Sequence, residues 1–148
     1  MRDWTAFNEE VIAEFRANSG RVARFGELPV VIVHTIGARS HAVREIPLIP
    51  VFEDDRMMLF GTCEGAQTHP AWYFNLRAHP RVTIEFGADR YTADVNLLPD
   101  SEAIPIVGRR AQSTPQLAAY IAKAAPRVIP VFTIDRVDHQ GLRAERES

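Results

Sequence analysis

The sequence predicts a mainly β domain, a small antiparallel barrel with helices inserted at both ends and between strands. Three observations carry this. About six β-prone runs occur along the chain. Turn signals join them directly more often than helices do, which favours an antiparallel barrel over a doubly wound parallel sheet. No Gly-x-Gly-x-x-Gly or Walker loop is present, so the common nucleotide folds lack their main signature.

Taken in order, residues 3–19 read as a helix. Phe7, Val11 and Phe15 stand at i, i+4 and i+8 on one stripe. Asp3 or Thr5 can cap its start and Gly20 its end. A basic connector runs from Arg21 to Pro29. Val30–Thr35 is a strongly β-prone run, and 37–41 reads as a turn. Residues 42–52 form a second extended run containing Pro47 and Pro50, which places it at an edge or bulge. Asp54-Asp55 turns the chain into a third strand at 57–62, so strands two and three are expected to form a hairpin.

His69–Ala78 reads as a short helix with Pro70 at its first position and Pro80 beyond its end. Residues 82–86 and 91–97 alternate well across a turn at 87–89. Residues 101–124 read as one or two helices, interrupted near Pro105 and Pro115. Residues 128–137 form a last strand, and 138–148 a polar tail. One domain spanning 1–148 is expected from the length and from a composition that is 46% apolar in type.

Composition excludes several functions. A net charge of −2 argues against general nucleic-acid binding. No run approaches the roughly 20 apolar residues of a membrane span, and the start does not resemble a secretory signal. The single cysteine, Cys63, rules out an internal disulfide, so a cytoplasmic location is expected. The five histidines lack zinc-motif spacing, so no metal is expected. Cys63 beside Glu64 is a poor nucleophile, and no Gly-x-Ser-x-Gly is present.

Two constellations can carry chemistry. In Thr35-Ile-Gly-Ala-Arg-Ser-His-Ala-Val-Arg44, a glycine turn brings Arg39, Ser40 and Arg44 together. Guanidinium forks, a hydroxyl and turn amides suit phosphate oxygens. It lies in a stretch, Arg16–Arg44, holding five arginines against one acid, Glu27. The same pattern also describes a solvated basic face. In the second constellation, Thr62 to Pro80, a strand end and a glycine-containing loop lead into a helix. That helix start offers unpaired amides at a positive dipole end, suited to a ring carbonyl or to a nitrogen gaining negative charge. Equally, Trp72 and Leu76 can pack into the core while His69 caps.

Together, in this order, the segments Thr35-x-Gly37-x-Arg39-Ser40-x-x-x-Arg44-x-x-Pro47-Leu48 and His69-Pro70-x-Trp72-Tyr73-x-Asn75-Leu76-x-Ala78-x-Pro80 resemble the deazaflavin (coenzyme F420)-dependent nitroreductase family. Arg127-x-Ile129-Pro130-Val131 is similar to that family's last strand. The resemblance covers roughly 7–135 and implies a split β-barrel of the FMN-binding type. It also implies a phosphate held by Arg39, Ser40 and Arg44, and a ring system beside Pro47, Leu48 and Thr62. The ring's polar edge would meet the backbone of Ala71 and Trp72, with Tyr73 and Asn75 in the same segment. The chain departs from the family at Ala38, where a basic residue is common, at His41, where glycine is common, and at Cys63.

The resemblance implies hydride transfer from reduced coenzyme F420 to an electron-poor conjugated acceptor: a quinone, an enone or lactone, or a nitroaromatic. The cofactor carries the hard chemistry, and no dedicated acid–base pair stands out. Tyr73 and Tyr120 are the candidate proton donors. The alternatives are an FMN-binding oxidoreductase on the same barrel and a non-catalytic deazaflavin or flavin binder. The partners implied are a small hydride acceptor, a second copy in a homodimer and, through a lipophilic substrate, a membrane surface.

Overall fold

A computed structural model of the chain describes residues 4–137. Helix α1 spans Thr5–Ala17, shorter than the predicted 3–19. Trp4 stands at its N-cap with no side-chain cap, so Thr5 is helical rather than capping, and Asp3 lies outside the described residues. At the other end the Gly20 amide donates to the Phe15 carbonyl at 2.8 Å, and Gly20 adopts φ +96°. A Cβ there would come within 2.7 Å of the Gly87 backbone, so glycine is required on both counts.

The strands are β1 (Val31–Ile36), β2 (Val43–Leu48), β3 (Val51–Glu53), β4 (Arg56–Phe60), β5 (Arg81–Phe86), β6 (Asp89–Leu97) and β7 (Val131–Arg136). Among the described residues they form one antiparallel sheet ordered β2-β1-β5-β6-β7-β4-β3. Seven strands replace the expected six because the run 42–52 splits at Ile49-Pro50. Its first half pairs with β1, and only its second half forms the expected hairpin with β4, Val51 opposite Met58.

That split rolls up the sheet. β2 and β3 are its two outermost strands, so laid flat their six inter-strand spacings would put them almost 30 Å apart. The two residues linking Leu48 to Val51 span at most about 11 Å. The sheet therefore curls into a barrel, open along the seam where β2 and β3 do not pair. Pro47 sits in an outermost strand, where its missing N–H is tolerated.

The remaining helices are α2 (Ala71–Ala78), α3 (Asp100–Ala111) and α4 (Pro115–Ala124). Pro70 is the N-cap of α2, one position outside the expected start. Pro105 lies inside α3 and does not interrupt it. It sits on the exposed side with Ser101, whose carbonyl loses its intrahelical donor there but faces water. Buried Ala103 and Val107 hold the opposite side. The predicted polar tail, 138–148, falls outside the described residues. No helix among them is long and apolar enough to cross a membrane.

Three apolar clusters result. Val31, Val33, Ile84, Val95 and Phe132 fill the barrel together with Trp72, Tyr73 and Leu76 of α2. Leu117 and Ala124 of α4 join Met58 and Ile129 in a second cluster. Val11, Ile12 and Phe15 of α1 cover Val30 and Ile32 on the outer face.

Candidate functional site

A cavity of about 430 Å³ opens where the three clusters meet, within the usual range for small-ligand pockets. Pro47 and Leu48 of β2 form one wall. Phe60 and Thr62 at the end of β4, Trp72 of α2 and Tyr120 of α4 form others, and Phe7 and Val11 of α1 close the outer side. Of the residues singled out in the sequence, Pro47, Leu48, Thr62, Trp72 and Tyr120 meet at this cavity. Tyr73 does not line it. It is buried in the barrel core, its ring stacked 3.9 Å from that of His69 and its hydroxyl 3.5 Å from Arg77 Nη1.

The beginning of α2 lies beside this wall. Pro70 holds an extended backbone at the cap. The Tyr73 amide turns back to the Pro70 carbonyl at 3.0 Å, whereas the amides of Ala71 and Trp72, in the first turn, have no intrahelical acceptor. They are open to an acceptor from outside the helix.

The basic turn lies at the other end of β2. Gly37 N–H donates to Ala42 O at 2.8 Å, and His41 N–H to Gly37 O at 2.9 Å. The Ser40 hydroxyl accepts from Ala42 N–H at 3.2 Å, and a Cβ at position 37 would overlap that hydroxyl. His41 sits at φ +60°, so a glycine-type conformation persists under a histidine, a residue that tolerates it better than most. Its ring meets that of His79 edge-on at 5.2 Å.

Asn75 Oδ1 accepts from Ala38 N–H at 3.1 Å, tying the turn to α2. Arg39, Ser40 and Arg44 are exposed and lie outside the cavity wall. Strand alternation nevertheless puts Arg44 on the same face of β2 as Ile46 and Leu48, and those two pack towards the barrel interior. One ligand lying along that face could reach both features.

Two clusters escaped the sequence reading. In the first, Arg127 donates to the carbonyls of Gly61 (3.0 Å), Thr62 (2.8 Å) and Ala66 (2.8 Å). Its Nη1 lies 3.1 Å from His69 Nδ1. In the sequence Arg127 stands only as an arginine with no acidic neighbour that opens the segment similar to the family's last strand, with no partner indicated. In the second, under α1, Arg16 Nη2 lies 2.7 Å from Glu85 and 3.0 Å from Glu45, while His34 Nε2 lies 2.6 Å from Glu85. His34, Glu45 and Glu85 bring ligand-type atoms within 4.8 Å of one another, and the Arg16 guanidinium supplies the positive charge there.

The hydrogen bond from Arg16, helped by the one to His34, holds the Glu85 carboxyl at about 2, below its ordinary 4.5. A lowered carboxyl pKa stabilises the fold above pH 4.5, and the contribution drains away as pH falls through 2. Thermal melts from pH 7 down should therefore steepen their decline below pH 4.5. Arg16→Gln should flatten that decline; an unchanged slope would show that the ion pair does not couple to folding.

Relatives support the same reading of the fold. A solved F420-H2-dependent reductase is 30% identical, with a TM-score of 0.61, over 72% of this chain and 94% of its own. A chain described as a domain-swapped dimer is 27% identical, with a TM-score of 0.64, over 90% and 98%. The F420H(2)-dependent quinone reductase of Mycobacterium tuberculosis (strain ATCC 25618 / H37Rv) is 31% identical over 81 residues, 53% of this chain and 54% of that protein. The chain thus spans about half the length of the curated relatives it matches. The barrel is of the split type, as the unpaired seam between β2 and β3 requires. The family described as F420H(2)-dependent quinone reductase matches from residue 7 to residue 136, across both motif segments and all seven strands, and the chain belongs to it.

Proposed function

We propose that this chain transfers a hydride from reduced coenzyme F420 to an electron-poor conjugated acceptor such as a quinone, an enone or lactone, or a nitroaromatic. The observation that carries the reading is the shared face of β2. Leu48 lines an apolar cavity at one end, and Arg44 stands four residues away beside the basic turn. A tricyclic ring with a phosphate on a short arm has the matching two-part shape. The unpaired amides at the start of α2 suit that ring's polar edge, so the residues present fit the group.

When bound, the deazaflavin supplies the hydride. The chain's own residues do the rest. Arg39 and Arg44 hold the phosphate, assisted by Ser40, whose hydroxyl proton is free to donate because its oxygen takes the Ala42 amide. Asn75 fixes the turn through the Ala38 amide. Pro47, Leu48 and Trp72, which line the cavity, would pack the ring and exclude water, and the amides of Ala71 and Trp72 would be the donors for its polar edge. Tyr120, on the cavity wall, is the better-placed of the two tyrosines to hand a proton to the reduced acceptor. The same reading extends to a dimer of this chain, supported by the relative described as a domain-swapped dimer.

Arg39→Ala and Arg44→Ala are each expected to weaken cofactor binding by about 1–3 kcal/mol, the scale of a charge-assisted bond. Titration of purified protein with F420 and with FMN, followed by turnover of reduced F420 on an acceptor panel, tests the proposal. Selective F420 binding with oxidation on at least one acceptor supports it. Preference for FMN, or tight F420 binding without turnover, would replace it with the flavin or the non-catalytic alternative.

A further inference from the structure

Segment 61–69 carries the chain from β4 to the start of α2, and Arg127 organises it from behind. All four partners of its guanidinium are neutral: the carbonyls of Gly61, Thr62 and Ala66 and the imidazole of His69. Among the described residues no carboxylate is paired with it. A guanidinium has donors only and stays charged. His69 Nδ1 must therefore accept, which leaves the ring proton on Nε2. Thr62, whose carbonyl is gripped, also lines the cavity.

We infer that Arg127 is a positioning residue for the ring site: it shapes segment 61–69, locks His69 in the Nε2–H tautomer, and sets an uncompensated positive charge behind Thr62 that favours the reduced ring over the oxidised one. The charge half of this inference rests on the function proposed above; the tautomer half rests on geometry alone. Hydride capture adds two electrons and one proton to the ring, so negative charge accumulates on its polar edge. A nearby cation in a partly desolvated setting stabilises that state more than the oxidised one.

The groups facing His69 point the same way. Burial is the main cause that lowers its pKa, with Arg127 and Arg77 adding to it and Asp100 opposing. Tyr73 stacks on the ring and Phe74 meets it edge-on. Protonation would place an N–H against the Arg127 guanidinium, so the bracket selects the neutral ring.

Nitrogen-15 NMR of histidine-labelled protein tests the tautomer without any cofactor. His69 should show the Nε2–H pattern at pH 8. Arg127→Met should give a tautomer mixture with a titration closer to that of an ordinary histidine. The charge is tested by anaerobic affinity measurements for oxidised and reduced F420. The reduced-to-oxidised affinity ratio should fall about 10-fold in Arg127→Met and stay within about 3-fold of wild type in Arg127→Lys.

Should Arg127→Met fail to fold, Cys63→Asp is the second probe. Cys63 lies close enough to act electrostatically on Arg127, and its φ of +49° is one that aspartate tolerates. A carboxylate there neutralises the charge with the bracket intact, so the ratio should fall in the same direction. An Nδ1–H tautomer in wild type, or a ratio unmoved in whichever of Arg127→Met and Cys63→Asp is folded, overturns the inference. If wild type binds neither form of F420, the proposed function and the charge half fall together, and the tautomer result decides the remainder.

Discussion

Phe132→Ala is expected to destabilise the protein by about 3–5 kcal/mol, the usual cost of removing a fully buried ring. Phe132 is 1% exposed and lies on β7, between β6 and β4. Its ring stands 5.8 Å from that of Trp72 and 5.7 Å from that of Tyr73. It is therefore the support on which the first turn of α2 rests. The melting temperature should fall by roughly 8–15 °C for a chain of this size. Ligand affinity should fall as well at temperatures where the variant remains folded, because Trp72 and its amide lose their backing. A drop of under about 3 °C would mean that α2 is held mainly by other contacts.

Glu85→Ala is the second large effect, expected at about 2–4 kcal/mol. The carboxylate accepts from Arg16 and pairs with His34 in a cluster where His34 is only 8% exposed. Removing it strands a buried imidazole and half of a guanidinium's partners. The Arg16 side chain is 42% exposed, so water recovers part of the loss and the cost stays below that of a fully buried pair. Denaturant melts measure the total. Hydrogen exchange locates it: amides of α1 should exchange faster while those of β5 and β6 keep most of their protection. Uniform acceleration across the sheet would show that Glu85 supports the barrel rather than the docking of α1.

Most strands were legible because alternation and β-branched runs act locally, as at Val31–Ile36 and Asp89–Leu97. The division of 42–52 was not. Both halves are extended, and only pairing with β1 on one side and β4 on the other separates them. Pro105 misled for the opposite reason: a local helix breaker was outweighed by Ala103 and Val107 packing on the far side. At the site, the glycine turn and the helix start could be read because each is a short contiguous pattern. The cavity wall contributed by α1 could not, although Tyr120 of α4 was among the candidates, and neither could the contacts of Arg127. Its partners at Gly61, Thr62 and Ala66 lie more than sixty residues earlier in the chain.

Helix α1 closes the cavity's outer side yet belongs to an apolar cluster of its own, outside the barrel filling. The chamber's dimensions and its scaffold are therefore separable. Exchanging Phe7 or Val11 for smaller or bulkier side chains would alter which guests are admitted while strand registers stay as they are. Selectivity in such a design can drift along one surface helix without disturbing the strands and the start of α2 that line the rest of the cavity.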